Sequence, residues 1–356
     1  MRVAVTFCNQ RSTPRLSICI VDLETDERQW LVVPDGFELG AAGIAAVDGA
    51  MFVAAQTGGI VRYGCDLRPT GILPTPTAAN LHSILYRSAE RALYVTSAHN
   101  DTLFRYGLAD DGTRFTGEEA VYDADPSHRG QDRFHLNSVA EWRGDLYATV
   151  FGPSTGENHK SRRNGKVVRI ADGETIAEGL YHPHSLYVHE DELYVVESQA
   201  QSVHRITGSD PRTWPIPGGY PRGLATLAPQ RLLVGVSALR RESNSLGTPN
   251  VLNSNTPLDF RTRLVELDLE SGAVCRSVDL TLLAGEVFDV RVLPSGAPFE
   301  PSPDGGLSER VETLEESFRE LRAWRRSVEQ QMERTPTHRL RQLSSRLARR
   351  VRAAWR

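Results

Sequence analysis

The stretch HSLYVHEDELYVVESQAQSVHRI, residues 184–206, decides the fold class. It contains three short runs of apolar, β-branched and aromatic residues, and polar residues separate each run from the next. Runs of this length between polar turns are typical of neighbouring strands in an antiparallel sheet. The second run begins at Leu193, nine residues after His184, as two strands joined by a tight turn require.

The same pattern recurs at four other places along the chain. The paired runs are HSILY and LYVTS (82–97), NSVAEW and LYATVF (137–151), RGLATL and LLVGVS (222–237), and GIAAV and MFVAAQ (43–56). The opening residues of successive units are 39, 55, 47 and 38 residues apart. A four-stranded propeller blade needs about 40–50 residues, so this spacing predicts consecutive blades of a β-propeller.

The two ends of the chain supply a sixth unit. EVFDVRVL (286–293) has the pattern of one more innermost strand, and the runs 2–8, 16–23 and 28–33 provide its partners. Closing a ring with strands from both ends removes the open edges that promote aggregation. No amphipathic helix pattern lies between the strands before residue 307, which argues against an α/β fold. The sequence therefore predicts an all-β, six-bladed β-propeller over residues 1–294.

The composition changes after the propeller, where we predict an α-helical tail. Residues 295–308 are rich in Pro, Gly and Ser and indicate a linker. Residues 309–334 carry apolar residues at coiled-coil-like spacing, which favours self-association or packing on the propeller. Residues 337–356 combine a Leu/Val/Trp stripe with seven Arg and no acidic residue. Such a basic amphipathic helix suits an anionic membrane surface or an acidic protein, and the alternative is a solvated end.

Charge and cysteine usage limit the partners and the compartment. Residues 301–356 carry a net charge of +5 and residues 1–300 a net charge of −9. An acidic body is a poor nucleic-acid binder, so nucleic acid is not an expected partner. The four cysteines form no CxxC pair, and the opening MRVAVTF lacks the features of a secretory signal. We expect a cytoplasmic protein, with its tail available for peripheral attachment to the inner membrane face.

The first residue of each innermost strand decides what the predicted channel contains. Innermost strands begin at one face of a propeller, so their opening residues meet around one axis. Those residues are Gly43, His82, Asn137, His184, Arg222 and Asp289. Two long connections, 152–165 and 238–259, should rim the channel mouth, where we also expect His135 and His182. Long loops beside polar channel residues are typical of a binding site.

Four of these residues suit a metal centre. His82, Asn137, His184 and Asp289 are a possible first shell for a divalent ion, and imidazole favours zinc or iron over calcium. Without a metal, His82 and His184 are candidate catalytic residues, because imidazole can move a proton near neutral pH.

Three further residues are candidates for substrate binding. Arg222 can hold a carboxylate or phosphate group through two parallel hydrogen bonds. Ser185 follows a ring histidine, and Glu197 lies at the end of a second strand. The alternative for the whole ring is structural, because propeller channels are commonly lined by polar residues that ordered water bridges.

Three segments resemble a known family: FHLNSVAEWRGDLYATVFG (134–152), GLYHPHSLYVHEDELYVVES (179–198) and YPRGLATLAPQRLLVGVS (220–237). They are similar to an uncharacterised bacterial β-propeller family that is catalogued as a domain of unknown function. The resemblance spans most of residues 1–294 and implies the propeller fold without a particular activity.

More distantly, the repeat looks like the six-bladed propellers of gluconolactonases, senescence-marker-like calcium-binding lactonases and strictosidine synthases. In the lactonases, a Glu, two Asn and an Asp from different blades hold a divalent metal. Asn137 in HLNSVA matches one of those asparagines, and Asp289 corresponds to the aspartate. Residues 184 and 222 are His and Arg instead. These departures imply a different metal, a different substrate or no catalysis.

Two function hypotheses follow. The first is a metal-assisted hydrolase, lyase or isomerase that uses zinc, iron or calcium on a small anionic or sugar-derived substrate. The second is a non-catalytic propeller that binds a ligand or protein and is recruited to a membrane or complex by its C-terminal helices. Loss of turnover in a folded His184→Ala variant would favour the enzyme. Loss of function on deletion of residues 308–356 would favour the scaffold.

Overall fold

The computed structural model describes residues 1–10, 14–35, 39–47, 49–127, 130–153, 163–238, 261–281 and 286–302. Within these residues, the strands form six antiparallel sheets of four strands each. The predicted six-bladed, all-β propeller is confirmed. The predicted helices at 309–334 and 337–356 lie outside the described residues, so the partners expected for them stay predictions. No helix in the described part of the chain is long and apolar enough to cross a bilayer.

The strand bounds follow the chain order. They are β1 (Arg2–Phe7), β2 (Ile18–Asp22), β3 (Arg28–Trp30), β4 (Ala41–Val47), β5 (Ala50–Ala55), β6 (Ile60–Tyr63), β7 (Pro69–Leu73), β8 (Leu81–Arg87), β9 (Ala92–Ser97), β10 (Thr102–Leu108), β11 (Phe115–Asp123), β12 (Leu136–Trp142), β13 (Asp145–Val150), β14 (Gly165–Arg169), β15 (Thr175–Leu180), β16 (Pro183–His189), β17 (Glu192–Glu197), β18 (Ser202–Arg205), β19 (Arg212–Pro215), β20 (Tyr220–Ala228), β21 (Arg231–Ser237), β22 (Arg263–Asp268), β23 (Val274–Asp279) and β24 (Val287–Val292).

Each blade is one sheet, numbered from the N-terminus. Blade 1 has the order β24-β1-β2-β3 from the axis outward, so strands from both ends of the described chain close the ring. Val3 lies opposite Val292 and Val5 opposite Val290 in this closure. Blades 2 to 6 are β4–β7, β8–β11, β12–β15, β16–β19 and β20–β23. The sequence pattern did not predict the outermost strands, because they are mostly exposed; in β7, only Leu73 is buried.

The core lies between the blades. Side chains alternate along a strand, so each blade presents one apolar face to the blade before it and one to the blade after it. Ile18 and Ile20 of blade 1 pack with Ile44 and Val53 of blade 2, and all four are fully buried. Each such side chain contributes about 1.5–3 kcal/mol when it leaves water. This packing holds the innermost strands around the axis, where the channel lies.

Part of the predicted linker is attached to the propeller. The guanidinium of Arg2 donates a hydrogen bond of 2.5 Å to the carbonyl of Ala297. The amide of Ser302 donates to the carbonyl of Arg28 at 2.8 Å, and the amide of Trp30 donates to the Ser302 hydroxyl at 2.9 Å. Residues 297–302 therefore lie along the outer edge of blade 1.

Candidate functional site

Every innermost strand opens with the same irregularity in its pairing. In blade 3, Leu81 is opposite Ser97 and Ile84 is opposite Val95, so three steps on β8 correspond to two on β9. Shifts of the same size occur in the other five blades. Such bulges reorient side chains at functional rims. Each bulge has a first and a second residue, which point in different directions.

The register corrects two members of the predicted ring. His82 and Asn137 are the first bulge residues of blades 3 and 4, and the equivalent residues of blades 1 and 2 are Phe288 and Ala42. In blades 5 and 6, His184 and Arg222 pair with Val196 and Gly235, and the register shift follows directly after them. Asp289 and Gly43, which we placed in the ring, are second bulge residues. A shift of one residue turns a strand side chain to the other face, so these two do not share the direction of the other four.

The central channel contains a cavity of about 230 Å³. Four predicted site residues line it, namely Asn137, His184, Ser185 and Asp289. Apolar side chains such as Leu186, Leu224 and Phe288 also line it. His82, Arg222 and Glu197 are not among the lining residues.

Asn137 lines this cavity with an unpaired polar side chain. The residue is 2% exposed, and its amide nitrogen Nδ2 has no hydrogen-bond partner in the part of the chain that the structure describes. Its backbone carbonyl accepts a hydrogen bond from the Thr96 hydroxyl at 2.7 Å. A buried polar group without a partner costs about 1–3 kcal/mol.

The hydrogen bonds of His184 fix its tautomer. Nδ1 lies 3.0 Å from the carbonyl oxygen of His182 and 2.8 Å from the hydroxyl oxygen of Ser198. The carbonyl can only accept, and the Ser198 hydroxyl donates to another carbonyl at 2.6 Å. Nδ1 therefore carries the proton, and Nε2 of the neutral ring is an acceptor. Among the described residues, Nε2 has no hydrogen-bond partner.

Burial keeps this imidazole neutral. His184 is 3% exposed, and burial is the main cause that lowers its pKa well below the ordinary value, with Arg222 and His182 adding to the effect. His82 has the same arrangement, since its Nδ1 lies 2.9 Å from the carbonyl of Asn80. Burial and the neighbouring His135 lower the pKa of His82 to about 3.

A closed ring of side chains lies at the mouth of the channel. This mouth ring consists of His82, His135, Phe151, His182, His184, Tyr220, Arg222 and Phe288. Its members come from blades 1, 3, 4, 5 and 6, and each contacts the next. Phe151 stacks on His182 with ring centroids 4.8 Å apart and contacts His135 at 4.5 Å. The ring centroids of His82 and Phe288 lie 5.3 Å apart. These residues belong to blades 3 and 1, and blade 2 between them has only the small Ala42 at the equivalent position.

The two outer histidines are held at the mouth by unusual backbone. His135 and His182 have φ values of 52° and 55°, in the left-handed region, which is uncommon for residues other than glycine. Asp101 supports the turn before Asn137, because its carboxylate accepts hydrogen bonds from three backbone amides, those of Arg133, Phe134 and Leu136. Positive φ at such a rim is typical of functional sites. Their predicted position at the mouth agrees with this arrangement.

The charge of Arg222 is already balanced. Its Nη1 donates to the carboxylate of Glu286 at 3.0 Å and to the sulfur of Cys8 at 3.2 Å. Its guanidinium carbon lies 4.7 Å from the centroid of the Tyr220 ring and 5.9 Å from that of Phe288. Arg222 therefore contributes to the mouth ring as one half of an ion pair.

Asp289 and Ser185 make contacts between blades. The Asp289 carboxylate accepts from the amide of Ile44 in blade 2 at 3.0 Å and from its own neighbour Val290 at 2.9 Å. The Ser185 hydroxyl accepts from the amide of Gly223 in blade 6 at 2.7 Å. Both residues line the cavity and also hold neighbouring blades together.

Glu197 lies away from the cavity and has its own partners. Its carboxylate accepts from the amide of Tyr181 at 3.1 Å and pairs with Arg163 at 3.2 Å and with His204 at 2.9 Å. These contacts assign Glu197 a structural role at the rim of blade 5.

The described residues do not form a metal shell. Within the ranges that the structure describes, no group of three or more His, Cys, Asp or Glu is placed to hold a metal ion. Calcium takes six to eight oxygen ligands, whereas the carboxylate of Asp289 accepts from two backbone amides and that of Glu286 pairs with Arg222. The metal set of His82, Asn137, His184 and Asp289 stays a prediction, and these residues do not fit the calcium site of the lactonases.

The sequence comparison confirms the resemblance to an uncharacterised family. Residues 126–299 match the family described as Domain of unknown function (DUF4915). The matched part holds blades 4 to 6 and β24, and with them every member of the mouth ring except His82. No curated protein matches the sequence.

Solved structures are similar in fold. A chain of a nidogen/laminin complex has a TM-score of 0.56 at 12% identity, covering 82% of this chain and 98% of that chain. The PQQ-bound aldose sugar dehydrogenase from Streptomyces coelicolor has a TM-score of 0.51 at 18% identity, covering 72% and 85%. A Bacteroides fragilis protein provisionally assigned as a 6-phosphogluconolactonase has a TM-score of 0.50 at 11% identity, covering 82% and 98%. At these identities the likeness shows the propeller fold alone.

Proposed function

We propose that this chain is a ligand-binding propeller whose central cavity takes a small, uncharged polar molecule. The observation that carries the proposal is Asn137, which lines the cavity and whose buried amide nitrogen has no hydrogen-bond partner among the described residues. A polar atom held without a partner in a packed protein costs free energy. A ligand that accepts a hydrogen bond from Asn137 recovers that free energy on binding.

The size of the cavity limits the ligand. Its volume of about 230 Å³ corresponds to about eight water molecules at roughly 30 Å³ each. It suits a molecule with a short carbon chain or a single ring. The apolar residues Leu186, Leu224 and Phe288 can cover the carbon skeleton, and the polar residues Asn137 and His184 line the same cavity.

The charges in the site favour an uncharged ligand over an anionic one. Glu286 pairs with Arg222, so the guanidinium expected to hold a carboxylate already has one. Asp289 adds a carboxylate to the cavity lining. Arg291 lines the cavity as well, and its guanidinium opposes the rise that burial causes in the pKa of Asp289, so the two charges offset each other. With Glu141 as the other charged lining residue, the lining offers an anionic ligand no net positive charge.

Catalysis is the second candidate function, and the fixed tautomer of His184 favours it. A neutral imidazole with a free Nε2 has the arrangement of a general base. Its lowered pKa makes it a weak base near neutral pH, so binding is the better-supported function. The metal-assisted hydrolase, lyase or isomerase is tested by elemental analysis. Near-stoichiometric zinc or iron that is lost from a folded His82→Ala/His184→Ala variant would favour it.

Native mass spectrometry and thermal shift test the binding proposal. The purified full-length protein is first measured under non-denaturing conditions for a retained small molecule, and then screened against uncharged and anionic metabolites. A ligand at 100 times its Kd stabilises the folded state by about 2.7 kcal/mol. We expect this stabilisation in the wild type and its loss in His184→Gln.

His189→Gln is the matched control. His189 is also 3% exposed, but both of its ring nitrogens have partners outside the channel, at 2.9 Å to the Thr226 hydroxyl and 2.7 Å to the Pro229 carbonyl. We expect this variant to lose stability and to keep its ligand response. Equal loss of the response in both variants, or no response of the wild type to any uncharged molecule, would contradict the proposal.

A further inference from the structure

Two residues that line the same cavity carry polar side-chain atoms of opposite character. Asn137 offers a donor, Nδ2, and His184 offers an acceptor, Nε2, and neither atom has a partner among the described residues. Resting on the binding function proposed above, we propose that the ligand presents a hydroxyl group to this pair, accepting from Asn137 and donating to His184. The pair would thus select the chemical class of the ligand.

The acceptor is set by the backbone. The proton of His184 is kept on Nδ1 by the carbonyl of His182, the residue two positions earlier in a left-handed conformation. Ser198 reinforces this, because its hydroxyl gives its own proton to the carbonyl of Pro221 and accepts from Nδ1. Nε2 is therefore left with a lone pair, which only a ligand donor can satisfy.

The donor lies at the equivalent position of the neighbouring blade. Asn137 is the first bulge residue of blade 4, and His184 directly precedes the register shift of blade 5, the adjacent blade in the ring. Both residues line the cavity. A hydroxyl group has one hydrogen to donate and two lone pairs that can accept, so it can bind a donor and an acceptor on neighbouring blades at once.

A carboxylate and an ammonium group each satisfy only half of this pair, whereas a primary amide needs two separate atoms to satisfy both halves. A carboxylate accepts from Asn137 but meets the lone pair of His184. An ammonium group donates to His184, but it has no acceptor for Asn137. It would also lie near the charge of Arg222, which adds to the effect of burial in lowering the pKa of His184. A hydroxyl group does both with one oxygen atom. Sites built to hydrogen-bond a hydroxyl reject analogues that lack it, because the buried groups are then left unpaired.

The tautomer is tested first, without any ligand. Nitrogen-15 NMR of the full-length protein with labelled histidine should show His184 at pH 7 with a protonated Nδ1 and an unprotonated Nε2. The resonances are assigned with His184→Gln. Ser202→Ala serves as the control, because its hydroxyl lies 2.8 Å from Nε2 of His204, outside the cavity, and its removal should leave the His184 signals in place. A protonated Nε2 on His184 would overturn the inference.

Four five-carbon probes test the ligand class. Xylitol carries hydroxyls, glutarate carboxylates, 1,5-diaminopentane amines and glutaramide amides. We expect xylitol to shift the Nε2 resonance of His184, with an affinity at least about tenfold weaker in Asn137→Asp, which lacks the donor. Zinc chloride is titrated separately.

The outcomes separate this inference from the binding function itself. If glutarate, the diamine, glutaramide or zinc shifts the His184 resonance and xylitol does not, the cavity binds a ligand but the hydroxyl assignment is wrong. If xylitol shifts it equally in Asn137→Asp, Asn137 is not the donor and the pair is wrong. If no probe shifts it at saturating concentration, the hydroxyl assignment also fails, and the metabolite screen decides separately whether the channel binds anything.

Discussion

Acid should destabilise this propeller through His82. The imidazole is 6% exposed, and its pKa is lowered from 6.5 to about 3, mainly by burial and secondly by His135. In the unfolded chain the imidazole is protonated below about pH 6.5, whereas in the folded protein it is protonated only below about pH 3. The unfolded state therefore binds more protons in this window, and the free energy of unfolding falls as the pH falls.

The size of the effect follows from the two pKa values. Between pH 7 and pH 5, one such histidine lowers the free energy of unfolding by about 2 kcal/mol. Over the full window from pH 7 down to pH 3, the loss is about 4 kcal/mol. His184 shifts in the same direction and adds to the loss.

Urea unfolding followed by tryptophan fluorescence at pH 7 and pH 5 measures this difference. His82→Gln keeps an amide donor for the Asn80 carbonyl but does not titrate, so its loss between the two pH values should be about 2 kcal/mol smaller than that of the wild type. Leu81→Ala is the control, because the neighbouring Leu81 is fully buried and carries no ionisable group. It should lower the free energy of unfolding by about 2–5 kcal/mol at both pH values and leave their difference unchanged. The reasoning is refuted if His82→Gln loses as much stability on acidification as the wild type.

Three substitutions test the packing of the site by the same denaturation assay. Gly43→Ala should lower the free energy of unfolding by at least about 2 kcal/mol, because the added Cβ would lie 2.6 Å from backbone atoms of blade 3. Gly71→Ala is the control and should be close to neutral, because no atom lies within 4 Å of its added Cβ. Equal effects of the two substitutions would contradict the close contact at Gly43. Asp101→Ala leaves three backbone amides near His135 without an acceptor and should cost about 3 kcal/mol or more; a cost below 1 kcal/mol would mean that the turn finds other acceptors. Asn137→Leu should raise the free energy of unfolding by about 1 kcal/mol and abolish ligand retention; clear destabilisation would show that Asn137 has a structural role.

The residues of the site differ in how well the sequence pattern predicts them. Asn137 and His184 could be found because each is a polar residue that opens an apolar run. The same rule misplaced the ring position of blade 1, because Phe288 looks like the start of the apolar run and Asp289 like its polar opener. The bulge that decides between them is a property of strand pairing. It leaves no mark in the pattern of a single strand.

Other members of the mouth ring carry no local signal at all. Phe151, Tyr220 and Phe288 are of residue types that are common in the hydrophobic core. Only their positions at the ends of innermost or second strands could have indicated that they lie at the channel mouth. The pairing of Arg222 with Glu286 joins residues 64 positions apart. Because Glu286 already pairs with Arg222, the expected ligand changes from anionic to uncharged. The spacing of residues along the sequence does not predict this pair.

The sequence by itself determined the number of blades, their order and the closure by both ends of the chain. These follow from alternation along a strand and from the length of one blade, which are local quantities that repeat along the chain. Only the tertiary structure decided which polar atoms of the channel remain without partners. Hydrogen bonding at the axis is settled among six blades at once. Asp289 accepts a hydrogen bond from blade 2 and Arg222 pairs with Glu286, while the Nδ2 donor of Asn137 has no partner among the described residues.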